Sequence, residues 1–324
     1  MAKFDLAILG GGPGGYVAAI RGAQLGLKTC IIDKDKLGGI CLNWGCIPTK
    51  ALLKNAEVYH TIKNADTYGI TVGNVSVDFK KNIKRSRDVS NRLSKGIEFL
   101  MKKNKITHIS GTGKLISKTS IEVKNGRKTE TVEASNIIIA TGARPRTFPG
   151  MELDGKRVIS YKEAMVLDAP PKKMIIIGSG AIGSEFAYYY NEFGTEIHMV
   201  EMMDCLLPVE DADVSKEVEK SFKKSGIKVS TSTKVLKIES LKTKVKVHIE
   251  TNGKEAILAG DVALLAVGVT GNIENIGLED LGLKTDRGSI IINEYNQTNF
   301  QNLPRVTSLI LELKKELELR SVLE

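Results

Sequence analysis

A chain of 324 residues that is 42% hydrophobic and 26% charged carries enough apolar material for two cores and no compositional sign of disorder. No long apolar run and no cleavable leader pattern is present, so the expectation is a soluble, cytoplasmic protein with no membrane partner. The net charge of +9 concentrates in stretches such as Lys80–Arg92 and Lys102–Lys105, where a solvated helix face accounts for it better than nucleic-acid binding, because no aromatic or arginine-rich reading motif accompanies it.

Phe4–Leu9 reads as a short buried strand, followed by Gly10-Gly11-Gly12-Pro13-Gly14-Gly15 and an alanine-rich helical pattern through Leu25. A glycine turn of this spacing between strand and helix is the setting in which a helix N-terminus receives a diphosphate. The next strand, Thr29–Ile32, ends at Asp33, 18 residues beyond Gly15 and near the spacing at which a carboxylate meets a ribose hydroxyl.

Gly38 to Lys50 then sets Cys41 and Cys46 five positions apart. On a regular helix such residues are rotated by about 140° and separated by roughly 8 Å along the axis, so Cys41 is expected outside, or on a distorted first turn of, a helix that begins near Cys46 and runs to Ile62. Pro48 suits a helix start, and Cys46 lies where N-terminal amides favour a thiolate. Two buried packing cysteines are the alternative reading. The context favours a redox dithiol: Gly38, Gly39 and Gly45 allow backbone to approach a flat ligand, and Lys50, one turn past Cys46, can offer an ammonium to a ring nitrogen. Cys30, in a strand, and Cys205 read as inert packing residues, and no metal site is predicted.

A long helix is expected from about Val77 to Lys103, and strands near Ile106–Ser110, Ser120–Val123 and Thr129–Glu133 as a small antiparallel addition. A strand Asn136–Ile139 leads into Ala140-Thr141-Gly142, and Ala169-Pro170-Pro171 marks the entry to a second module. There the opening pattern repeats: Met174–Ile177 as strand, Gly178, Gly180 and Gly183 in the turn, a helix from about Ala181 to Phe193, and a strand Glu196–Val200 ending at Glu201, again 18 residues past the last motif glycine. One such turn is weak testimony; two with matching strand, helix and acid establish dinucleotide binding. An acid at position 201, with no arginine nearby, accepts from a free 2′-hydroxyl and repels a 2′-phosphate, which predicts NAD over NADP.

These residues together resemble the pyridine nucleotide-disulfide oxidoreductases, and among them the branch that oxidises dihydrolipoamide, over about residues 3–304. The resemblance implies an α/β fold of two Rossmann-like FAD- and NAD-binding domains, three-layer ββα arrangements with parallel sheets. It implies an FAD domain over 1–147, an NAD domain over 148–271, an incomplete return to the FAD domain over 272–304 and a non-family tail over 305–324. It makes Gly10, Gly12, Gly14, Gly15, Gly39 and Asp33 FAD contacts, Cys41 the thiol that exchanges with substrate, and Cys46 the thiolate beside the flavin. Lys50 becomes the flavin-facing ammonium, paired with Glu185. Thr141 and Gly142 belong to the crossover from the flavin domain, Gly178, Gly180, Gly183 and Glu201 to the NAD site, and Gly268 to the segment leaving it, where Val269-Thr270-Gly271 stands in place of the usual Arg-x-Pro.

The implied partners are lipoyl domains of 2-oxoacid dehydrogenase complexes or of the glycine cleavage system, together with a second copy of the chain. Reductases of glutathione, mercuric ion or another dithiol, a transhydrogenase, and a non-catalytic dinucleotide-binding fragment are the alternatives. The flavin-binding Gly-Asp expected after Thr298 does not follow, and the family's C-terminal interface domain is expected to be absent. None of His60, His108, His198 and His248 stands in the family's His-Pro-x-x-x-Glu context, so all four read as surface or packing residues. A C-terminally truncated or frame-altered product is therefore expected, with impaired dimerisation, little lipoamide turnover and an amphipathic helix over Ser308–Glu324.

Overall fold

Ala2–Leu9 forms strand β1 in the computed structural model, which describes residues 2–299 and the backbone of 306–308. Helices α1 (Pro13–Gln24), α2 (Gly39–Trp44), α3 (Cys46–Lys63) and α4 (Phe79–Lys103) and strands β2 (Thr29–Asp33), β3 (Thr107–Ser110), β4 (Thr112–Leu115), β5 (Ser120–Asn125) and β6 (Lys128–Ile139) follow. The described chain packs into two units. The second comprises Trp44–Val89 and Pro145–Val269, and the first comprises the described residues outside those spans.

In the first unit the strand order is β3-β2-β1-β6-β5-β4. β1 is central, and Leu6, Ala7, Ile8 and Leu9 are all buried, as a parallel strand covered on both faces requires. Phe4, Ala7 and Leu9 of β1 and Cys30 and Ile32 of β2 share one core with Leu115, Ile121, Val123 and Val132 of the antiparallel strands. Small residues of α1 (Gly14, Gly15, Ala18, Ala19 and Gly22) are buried and bring that helix close to the sheet.

Two expectations are corrected here. The segment near Ile106–Ser110 is not part of the antiparallel addition: β3 pairs in parallel with β2, Cys30 opposite Thr107 and Asp33 opposite Ser110, and extends the main sheet. The strands Thr129–Glu133 and Asn136–Ile139 are one twelve-residue strand, β6, whose first half pairs antiparallel with β5. Its last residues, Ile137–Ile139, pair in parallel with Val306–Ser308. Ser308 is thus strand, and the rest of the helix expected over 308–324 lies outside the described residues, as do 300–304 of the return segment.

The second unit holds β7 (Val158–Ile159), α5 (Tyr161–Ala164), β8 (Lys173–Ile177), α6 (Ala181–Glu192), β9 (Glu196–Val200), α7 (Ala212–Lys224), β10 (Lys228–Ser230), β11 (Thr233–Ser240), β12 (Val245–Thr251), β13 (Lys254–Gly260) and β14 (Val262–Leu265). A parallel sheet runs β10-β9-β8-β14-β7, and β11-β12-β13 form a separate antiparallel sheet. Ile175, Ile177 and Val200 of the first pack with Val235, Val245, Val247 and Ile249 of the second. Residues 44–89, which sequence order assigns to the span 1–147, group with this unit because α3 and the start of α4 join an aromatic cluster on α6. Tyr59 stacks on Phe193 at 5.3 Å, and Phe79 meets Tyr189 at 6.0 Å and Phe193 at 5.6 Å. Among the described residues no helix is long and apolar enough to cross a membrane.

Each unit closes its first turn by backbone laid on backbone. Gly10 has φ +114°, and a Cβ there would stand 2.1 Å from the Ala140 carbonyl oxygen; a Cβ on Gly15 would stand 1.8 Å from the oxygen of Gly10. Gly15→Ala is therefore expected to lower stability by about 2 kcal/mol or more. Gly73→Ala, with nothing within 4 Å of the added carbon, is expected to shift it by less than about 0.5 kcal/mol. Urea unfolding followed by circular dichroism reads both, and equal midpoints for the two variants would refute the close-contact argument.

Candidate functional site

In the first unit, the turn between β1 and α1 leaves one position open. Gly12 is the N-cap of α1 with no side-chain cap, and a Cβ there would meet only the Cα of Gly39, at 3.8 Å. The first turn of α1 thus has no side-chain cap, the condition in which a helix N-terminus can receive an anion. Gly39, at φ +56°, packs on Gly12 so tightly that its own Cβ would come within 2.5 Å of the Gly12 Cα, and Gly38 N–H donates to the Gly11 carbonyl at 2.8 Å. Gly14 and Gly15 are buried in the first turn of α1.

Asp33, at the end of β2, folds back over this turn. Its Oδ2 accepts from Gly11 N–H at 2.5 Å and its Oδ1 from Asp35 N–H at 2.8 Å. Burial pushes its carboxyl above the ordinary aspartate range, against the pull of the two amides. Thr141 and Gly142 follow β6 beside Gly10, and Asn272 locks them: Thr141 Oγ1 donates to the Asn272 carbonyl at 2.7 Å, Asn272 Nδ2 to the Thr141 carbonyl at 2.9 Å, and Asn272 N–H to Gly142 at 2.9 Å. Arg144 holds the same strap through Gly271 and a forked pair with Glu274 at 2.6 and 2.8 Å.

The second unit repeats the arrangement. Gly178 lies against the Ala266 carbonyl and Gly183 against Gly178, while Gly180, the N-cap of α6, has nothing within 4 Å of a would-be Cβ. Glu201 Oε2 accepts from Ser179 N–H and from Ser179 Oγ, both at 2.8 Å, and Oε1 from Met203 N–H at 2.9 Å. Gly268 follows β14 at φ +94°, and its carbonyl accepts from Arg146 N–H at 3.0 Å.

Cys41 does not lie on a distorted turn of α3. It sits outside that helix, on the separate six-residue helix α2, and is half-buried. Cys46 is the first residue of α3, behind an N-cap, Gly45, that supplies no side-chain bond, and so stands at the end of the helix where the dipole favours negative charge. Within the second unit Lys50 of α3 pairs with Glu185 of α6. The lysine is 63% exposed, so the pair is worth under about 1 kcal/mol and its role is placement rather than stability. Cys30 is wholly buried, and burial drives its thiol up to about 12, which fits an inert residue.

Several neighbours escaped the sequence reading. Ser179 beside Glu201 and Gly11 beside Asp33 occupy the same place in the two turns, so aligning the chain with itself would have found them. Asn272 and Arg144 give no local signal, because their partners lie more than 120 residues away. The same holds for Glu192, buried on α6, which takes His60 Nδ1 and Lys63 Nζ of α3, both at 2.9 Å.

The sequence profile of the pyridine nucleotide-disulphide oxidoreductases matches residues 4–303, and the chain belongs to that family. It is similar to a dihydrolipoyl dehydrogenase of Rhizobium etli, 49% identical over 314 residues that cover 92% of this chain and 65% of that protein. It is also similar to that of Bacillus subtilis, 41% identical over 319 residues covering 95% and 67%. The chain thus spans about two thirds of the length of the curated relatives it matches. Among solved structures it resembles LpdA from Mycobacterium tuberculosis, with TM-score 0.88, 26% identity and coverage of 100% of this chain and 72% of that one. The flavoprotein disulfide reductase RclA from Escherichia coli gives TM-score 0.84 at 25% identity, covering 99% and 70%. The fold is the doubled Rossmann-like α/β arrangement that the resemblance implied.

The open position at Gly12 and the raised carboxyl of Asp33 give two expectations, both read by calorimetric titration with FAD as the probe. Gly12→Ala is expected to fold, since its Cβ would make only an ordinary contact with the Gly39 Cα at 3.8 Å, and to bind about ten-fold or more weakly, since the methyl would stand in the path of a diphosphate at this turn. A carboxyl raised by folding favours the native state below its unfolded value, and that contribution is lost as pH rises through the raised value. Conversely, on acidification Asp33 gains its proton at a higher pH than an ordinary aspartate, whose range is about 4, and would then no longer offer an ionised acceptor to a ribose hydroxyl. Affinity is expected to fall from a pH above that range, and Asp33→Asn to remove this acid limb; an unchanged limb would exclude Asp33 as the acceptor.

Proposed function

We propose that this chain is the FAD- and NAD-binding part of a disulfide oxidoreductase that oxidises dihydrolipoamide carried on lipoyl domains of 2-oxoacid dehydrogenase complexes or the glycine cleavage system, in the cytoplasm, with NAD as acceptor. The observation that carries it is the doubled nucleotide turn, each with its open glycine and amide-bound acid, together with a Cys41/Cys46 pair whose second member opens a helix. Relatives named dihydrolipoyl dehydrogenase at 41–49% identity favour this substrate over glutathione or mercuric ion.

Residues 1–147 and 272–304 are assigned to FAD and 148–271 to NAD. The first turn fits a dinucleotide of FAD's class: Gly10, Gly12, Gly14, Gly15 and Gly39 would surround its diphosphate, Asp33 would take a ribose hydroxyl, and Thr141 and Gly142 would border it. Gly178, Gly180, Gly183, Glu201 and Gly268 would hold NAD. Bound FAD supplies a two-electron relay between a thiolate and a nicotinamide.

The protein's own part begins at sulfur. A substrate thiolate attacks Cys41 Sγ of the Cys41–Cys46 disulfide; the S–S bond breaks and Cys46 leaves as a thiolate, whose charge the α3 amides favour. The substrate's second thiolate then attacks its own sulfur in the mixed disulfide, which releases the Cys41 thiolate and the oxidised, cyclic disulfide. The protein ends two electrons richer and the substrate two poorer. Lys50, held by Glu185, presents a positive charge one turn from Cys46.

Purified protein is expected to be yellow, to be bleached by NADH far more readily than by NADPH, and to develop a long-wavelength thiolate-to-flavin band on reduction. Cys46→Ser should abolish that band and Cys41→Ser should leave it present without any reductant. A band that survives Cys46→Ser, or a preference for NADPH, would overturn the assignments of Cys46 and Glu201 respectively.

A further inference from the structure

Helix α4 buries serine where a lysine-rich amphipathic helix ordinarily buries leucine. Ser86, Ser90 and Ser94, four residues apart and therefore on one face, are 0%, 3% and 3% exposed. Ser86 spends its hydroxyl within its own helix, on the Ile83 carbonyl. The other two reach outward. In the first unit Ser90 Oγ donates to the Leu42 carbonyl at 2.5 Å and Ser94 Oγ to Asn43 Oδ1 at 2.9 Å. Asn43 in turn donates through Nδ2 to the carbonyls of Gly39 at 2.9 Å and Leu37 at 3.2 Å.

Leu42 and Asn43 directly follow Cys41. They lie in α2, a helix of six residues that is too short to hold itself and whose terminal carbonyls have no partner of their own kind. Of the bonds just described, the one from Ser90 supplies such a partner, at the Leu42 carbonyl, and those from Asn43 reach the start of the helix. Ser90 caps a carbonyl one residue past the cysteine, while Asn43, oriented by Ser94, ties the end of α2 back to its beginning. Hydrogen bonds rather than apolar packing make the choice directional, since an apolar contact would let so short a segment rotate or slide.

We propose that Ser90, Ser94 and Asn43 form a bracket that fixes α2 and are positioning residues for the Cys41 thiol. The inference rests on the reading of Cys41 as the exchange thiol. In-line attack on a disulfide sulfur is sensitive to small displacements, and the bracket holds the backbone that carries that sulfur.

The test uses the full chain, as purified and after reduction. Alkylation of Cys41 by iodoacetamide is timed by peptide mass spectrometry, with buried Cys30 as the monitor of global opening, and the potential of the Cys41–Cys46 pair is measured against a thiol buffer. Ser90→Ala and Ser94→Ala are expected to change the Cys41 rate by about five-fold or more, the worth of one hydrogen bond, and to shift the potential, with Cys30 still protected. Asn43→Asp, which keeps an acceptor for Ser94 but cannot donate to Gly39 and Leu37, should act in the same direction, and it decides the matter if a serine variant fails to fold. An unmoved Cys41 rate and potential, even with a lowered melting temperature, would reduce these residues to packing and overturn the bracket alone. Absence of a Cys41–Cys46 cross-linked peptide from the oxidised, unaltered protein would instead remove the dithiol reading, and this inference with it.

Discussion

Backbone pressed against backbone is the constraint on which both halves of this protein depend. At Gly10 and Gly15, and again at Gly178 and Gly183, a carbonyl oxygen fills the space that any side chain would need. Only that approach allows the chain to leave a central strand, turn within a few residues and start a helix whose amides stand open. Gly12 and Gly180 are glycine for a different reason: nothing of the protein crowds them, so the space they leave is available to a ligand.

The acids at Asp33 and Glu201 belong to the same device. Each accepts the amide next to the turn's first glycine, from Gly11 and from Ser179, so that the carboxylate fixes the loop. Their environments differ. Glu201 is buried at 8% exposure and also takes Ser179 Oγ and Met203 N–H, and Asp33 takes a second amide, from Asp35. One module has therefore been used twice with different partners around its acid.

The dithiol segment shows a different economy. The cysteines themselves stay outside the apolar core that Leu42, Leu52 and Ala56 of α2 and α3 enter: Cys41, Asn43, Trp44, Gly45 and Cys46 are all half-exposed. Polar and aromatic contacts hold these half-exposed residues, with Ser90 and Ser94 on Leu42 and Asn43 in the first unit and Arg87 over the Trp44 ring at 4.8 Å in the second. Function of this kind needs a thiol that is both reachable and held, and directional bonds achieve that where a packed core would seal it.

The sequence alone determined the features that recur locally: the two glycine turns, the 18-residue offset to each acid, the five-residue spacing of the cysteines and a helix starting at Cys46. Each rests on chain geometry over a few turns, so the residues themselves state it. Only the tertiary structure decided that β3 extends the parallel sheet, that β6 runs unbroken through twelve residues, that residues 44–89 pack with the second unit, and that serines on α4 clasp the residues after Cys41. Those outcomes depend on which distant partner satisfies a backbone edge or a buried hydroxyl, and serine, asparagine and β-forming segments carry no mark of the partner they will meet.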